Sequence, residues 1–148
     1  IIMDKTINTE LGIIQEVTVE KMNFLYIEIP NDIDNQKKAW PTFEARFPSL
    51  TGRKMYGLDY GESKLYRVCT LVLESDHGEL FGFDQFEFEG GTYMRLRLKF
   101  DPPELYEKIG PAYQLLIGHY EEDINWSFPF IEHYKAKNIL DIMIPITK

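Results

Sequence analysis

The sequence predicts an α+β fold: duplicated βαββ units forming antiparallel sheet, with two main helices and a central ligand cleft. Three observations predict it. Apolar residues alternate in several short runs, two longer runs carry helical spacing, and the pattern recurs at one offset along the chain. Tyr56 and Phe130, Tyr60 and Tyr134, Val68 and Ile142, Val72 and Ile146, Phe24 and Leu98, and Tyr26 and Phe100 all stand 74 residues apart. The pseudo-repeats run over about 16–74 and 86–148, inside a single domain spanning 1–148.

The elements follow in order. "KMNFLYIEI" (21–29) alternates as a strand, and "NDIDNQKKAWPTFEARF" (31–47) has helical spacing. "RKMYGLDY" and "LYRVCTLVLE" read as two strands about a Gly-containing turn, which completes the first unit. "ESDHGELFGFDQ" (74–85) is a charged, Gly-bearing connector. The second unit opens on the strand "TYMRLRLKF" and continues into "DPPELYEKIGPAYQLLIGHY". Here Asp101 is placed to cap, Pro102 suits a first turn and Glu104 sits at the capping-box position. Leu105, Ile109, Ala112 and Leu116 fall on one helical face, which should cover a sheet. Pro41 and Pro111 interrupt the two helical segments and should kink or divide them. "FPFIEHY" and "ILDIMIPI" close the unit as strands.

Composition narrows the function classes. With 16 Lys and Arg against 24 Asp and Glu, a net charge of −8 opposes direct binding to nucleic acid, which depends on neutralising phosphates. No apolar run approaches the roughly 20 residues that span a bilayer, and the N-terminal stretch lacks a basic-then-apolar leader pattern. The expected location is cytoplasmic, with Met3 a candidate start. One cysteine, Cys69, makes no internal disulfide and reads as a buried thiol. His77, His119 and His133 have no metal-ligand spacing, and no P-loop or GxSxG is present, so neither metal nor cofactor is expected.

One stretch does not fit plain sheet architecture. In "FPFIEHY" the side chains of Phe128, Phe130, Glu132 and Tyr134 share a face, which sets a carboxylate in an aromatic row. A charge facing apolar groups is costly unless paired, and no Lys or Arg stands at alternating positions in that strand. At the 74-residue offset Glu132 answers Leu58, so the second half carries an acid where the first keeps an apolar residue. A dry carboxylate walled by rings suits an organic cation. Glu132 is the candidate counter-charge, with Trp40, Tyr56, Phe130 and Tyr134 as walls; Tyr60, Tyr93 and Trp126 are further aromatic candidates. The same carboxylate is the one candidate catalytic group if the protein is a hydrolase. The acidic run "HYEED" (119–123), with Asp59 and Glu62, reads as a solvated face, or else as a surface for a basic protein partner.

These residues resemble a known family. "FPFIEHYKAKNILDIMIPI" is similar to the closing signature of GyrI-like, or effector-binding, domains: an aromatic-Glu-x-Tyr strand, a turn and an acidic strand with a Pro-containing end. "GRKMYGLDY" and "YRVCTLVL" resemble strands of that family's first half and "FEGGTYMRLRL" its Gly-Gly-x-Tyr entry to the second, and the likeness covers Glu16 to Ile146. The resemblance implies a pocket for bulky, cationic and aromatic compounds, with the pocket glutamate at Glu132, its tyrosine at Tyr134 and a helix aromatic near Trp40. Because little sequence precedes the first strand, the chain resembles the stand-alone members rather than regulators with a DNA-reading domain. For such members the resemblance implies sequestration of toxic compounds, inhibition of a topoisomerase, or hydrolysis of strained cyclopropane-bearing alkylating agents.

Overall fold

A computed structural model describes residues 6–147; Met3 lies outside them. Among the described residues nine strands form one antiparallel sheet: β1 (Ile7–Thr9), β2 (Gly12–Val19), β3 (Met22–Pro30), β4 (Met55–Asp59), β5 (Leu65–Leu71), β6 (Asp84–Phe88), β7 (Gly91–Lys99), β8 (Phe130–Ala136) and β9 (Ile139–Pro145). Their order across the sheet is β1-β2-β7-β9-β8-β4-β5-β3-β6. The second unit, β7-β9-β8, meets the first, β4-β5-β3, at the β8–β4 pair, and the two read as reversed copies about it. Three strands not foreseen from the sequence join the sheet. β2 adds to β7 of the second unit and β6 adds to β3 of the first, so each half lends an edge strand to the other, and β1 extends that edge by pairing with β2.

Helices cover one face. Helix α1 (Ile33–Glu44) begins where Asp32 accepts the Asn35 N–H at 2.8 Å, the usual way of satisfying a free first-turn donor. Its Ala39 and Phe43 pack on Leu25, Tyr66 and Val68. The second helical segment is divided at Lys108 into α2 (Glu104–Glu107) and α3 (Ile109–Tyr120). The Asp101 capping box does not form: α2 starts at Glu104 after Pro103, with no side-chain cap. Pro111 lies in the first turn of α3, where its missing N–H has no partner to lose, so it does not break the helix. The expected apolar face is present, with Leu105, Ala112 and Leu116 buried and Ile109 packed against the same cluster.

The helix-free face has its own core. Phe24, Tyr56, Leu58, Phe88, Tyr93 and Ile131 form one buried cluster there. Val17 on β2 and Phe88 on β6 both belong to it although they stand near opposite ends of the strand order, so the sheet curls around this cluster. Burying each such side chain stabilises the fold by about 1.5–3 kcal/mol.

The pairing between the halves corrects the 74-residue register at β4 and β8. Gly57 pairs with Glu132, Leu58 with Ile131 and Tyr56 with His133. Paired residues share a face, so the neighbour of Glu132 is a glycine, and Leu58 points to the opposite side. The offset does preserve the face between β5 and β9, where Val68 and Ile142 both point to the helices. One residue of difference in the connections changes the parity between one strand pair and the next.

Candidate functional site

Glu132 projects from β8 into the space between α1 and α3 and is 5% exposed. Its carboxylate meets hydroxyls rather than ring faces. Tyr66 and Tyr134 donate to Oε1 at 2.7 and 2.8 Å, and Tyr113 donates to Oε2 at 3.0 Å. No Lys, Arg or His pairs with it among the described residues. Its hydrogen-bond partners are therefore in the chain, Tyr134 from its own strand and Tyr66 and Tyr113 from β5 and α3, and they carry no charge.

Gly57 makes this arrangement possible. Tyr66 reaches from β5 across β4 to Glu132, passing directly over Gly57. A Cβ at residue 57 would lie 1.8 Å from the Tyr66 Oη and 2.9 Å from Glu132 Oε1. Close approach, not backbone conformation, requires glycine here.

The electrostatics follow from burial. Desolvation pushes the Glu132 carboxyl above its ordinary value, and the three tyrosine hydroxyls pull against that rise. Burial, and then the charge of Glu132, pushes Tyr66, Tyr113 and Tyr134 well above the usual phenol value, so all three remain donors at neutral pH. The group can hold a carboxylate dry and oriented without neutralising it.

The sequence-derived walls divide between the two faces. Trp40 on α1 stands edge-on to Tyr134 with ring centres 5.1 Å apart, and Phe130 stacks on Tyr113 at 5.6 Å. Trp40, Phe130 and Tyr134 thus gather around Glu132. Trp126 continues the row, 5.7 Å from Phe130. Tyr56 lies on the other face, stacked on His133 at 4.1 Å and packed with Phe24 and Leu58. Tyr60 also packs with that cluster, and Tyr93 donates from within it to the Pro129 carbonyl at 2.9 Å. Tyr66 and Tyr113 were not singled out from the sequence. Their distance along the chain from Glu132 hid them, although a glycine inside a strand, Gly57 in β4, is the kind of residue that marks a close approach.

The fold and this acid-and-tyrosine group together define a class: an α+β domain with a buried carboxylate held beneath two helices. No family model matches the sequence, and no curated protein matches it. Solved structures do match. SAV2435 bound to tetraphenylphosphonium aligns with a TM-score of 0.65 at 13% identity, over 90% of this chain and 93% of that one. The C-terminal domain of EcmrR aligns at 0.64 and 13% identity, over 91% and 97%. A hydrolase from Listeria innocua aligns at 0.52 and 13% identity, over 90% and 91%. The chain has the fold of the GyrI-like, effector-binding domains. No helix among the described residues is long and apolar enough to cross a membrane.

Proposed function

We propose that this protein binds lipophilic aromatic cations in the groove between α1 and α3. One observation carries the reading: Glu132 is a buried carboxylate surrounded by hydroxyl donors and rings, with no cationic side chain paired to it among the described residues. An arriving cation supplies the missing charge, while Trp40, Phe130, Tyr134 and Tyr113 supply stacking and cation–π contact. The tetraphenylphosphonium bound by SAV2435, on the same fold, supports a ligand of this class. Titration of tetraphenylphosphonium and a panel of cationic dyes against the wild type and Glu132→Gln tests it. The substitution should weaken cations by about 1–3 kcal/mol, the range for a charge-assisted contact, and leave neutral analogues nearly unaffected. Equal cation affinity in the two proteins would remove Glu132 from the role.

A second reading is hydrolysis of a strained electrophile such as a cyclopropane-bearing alkylator. Burial holds Glu132 above the usual carboxylate range, which suits a general base, and the Listeria innocua neighbour is a hydrolase. Multiple turnovers lost in Glu132→Gln would support it, and stoichiometric uptake without product would exclude it.

A further inference from the structure

The helix face of the β4–β8 pair carries a second acid. Asp59 pairs with Phe130 across β4 and β8, two residues along from the Gly57–Glu132 pair, so it leaves the sheet on the Glu132 face. Two strand residues span about 7 Å. Asp59 Oδ1 accepts the Gly61 N–H at 2.8 Å, and no basic side chain pairs with Asp59 among the described residues. It lines a small cavity of about 30 Å³ together with Glu62, Trp126, Phe128 and Phe130.

This cavity is joined to the inner acid by rings. Trp126, which is 52% exposed, contacts Phe130; Phe130 stacks on Tyr113; and Tyr113 donates to Glu132. The negative field of Asp59 also reaches Glu132 and Tyr113, raising both. A volume that admits about one water-sized group fits a compact cationic terminus, not an aryl cation. Asp59 therefore presents a charge where a hydrogen-bonding cation can reach it, while Glu132 lies behind rings.

We propose that Asp59 forms an outer subsite for an ammonium or amidinium group, so that the preferred ligands are aromatic dications with charges about 7 Å apart. This rests on the reading of Glu132 as the inner counter-charge. An ammonium donates hydrogen bonds to Asp59, whose remaining oxygen is free to accept, while the aromatic cationic centre sits among Trp40, Phe130 and Tyr134.

Calorimetric titration with (4-aminobutyl)triphenylphosphonium and butyltriphenylphosphonium tests the pair of subsites, because the probes differ only in the terminal ammonium. The wild type should bind the dication about tenfold tighter, the size of one charge-assisted hydrogen bond. Asp59→Asn keeps an oxygen for the Gly61 N–H and removes the charge, so the ratio between probes should fall to about one. Glu132→Gln should weaken both probes and keep the ratio. A wild-type ratio near one, or a ratio unchanged in Asp59→Asn, overturns the outer subsite and leaves the inner one standing. Failure of the wild type to bind either probe, or equal affinity of wild type and Glu132→Gln for the monocation, overturns the inner reading and this inference with it.

Discussion

Glu132 and Asp141 are acids on adjacent strands, 5% and 2% exposed, yet they are treated in opposite ways. On the helix-free face Asp141 is held by Arg97 through two parallel contacts of 2.7 and 3.0 Å, which match charge with charge. On the helix face Glu132 receives three hydroxyls and, among the described residues, no cation. The first arrangement is complete within the chain. The second satisfies hydrogen bonding but leaves the charge unmatched among the described residues, as the proposed cation site requires.

Substitutions can break this contrast from either side. The largest effect should come from Gly57→Ala, because the new Cβ would overlap the hydroxyl of fully buried Tyr66 and crowd Glu132. Urea unfolding should show a loss of about 3 kcal/mol, as for overpacking of a rigid interior, and cation binding should fall with it. A loss below about 1 kcal/mol would mean that Tyr66 can leave its place.

Asp141→Ala should cost less, about 2 kcal/mol, because Arg97 keeps partial access to solvent and can recover hydration. The same measurement should show Glu132→Gln within about 1 kcal/mol of wild type. It should also reveal a pH dependence of definite sign. The folded-state pKa of Glu132 lies above its ordinary value of 4.5, so ionisation opposes folding. The wild type should lose stability relative to Glu132→Gln as the pH rises from 4.5 towards neutrality. A wild type that gains stability relative to Glu132→Gln over that range would contradict a raised pKa.

His133 sharpens the comparison from the next position on β8. Burial against Tyr56 pushes its pKa down from 6.5 to about 4, so the folded protein holds it neutral. The contribution is complete above pH 6.5 and is lost as the pH falls through 6.5 towards 4. With part of the ring reached by solvent, the loss should be about 1–2 kcal/mol relative to His133→Gln. Unfolding curves for the two proteins between pH 7 and pH 4 should diverge; parallel curves would place the proton on the folded imidazole after all.

Much of this was legible in the chain. Alternation in "KMNFLYIEI" and "TYMRLRLKF" marked β3 and β7, and the apolar face of Leu105, Ala112 and Leu116 marked the helix above β9. Trp40, Phe130 and Tyr134 gathered around Glu132 because face and spacing along a strand or helix are local properties. The strands β1, β2 and β6 were missed because they sit at edges, where one half completes the other and periodicity within a unit gives no sign of it. Tyr56 was assigned to the Glu132 group through an even offset that the β4–β8 register makes odd.

The sequence alone determined which residues alternate, where helices fit, and that a carboxylate shares a strand face with rings, since each depends on the fixed period of a strand or helix. Tertiary structure alone decided that Gly57 lies beside Glu132, that Tyr66 and Tyr113 reach it from β5 and α3, and that Asp59 leaves the sheet on the same face, opposite Phe130. These are relations between strands, and strand register is set by the lengths and turns of the connections and by packing across the whole sheet. A shift of one residue at the β4–β8 pair would have turned Tyr56 to the helices and Gly57 away from them, and the same seven letters of "FPFIEHY" would have lost their hydroxyl partner from β5.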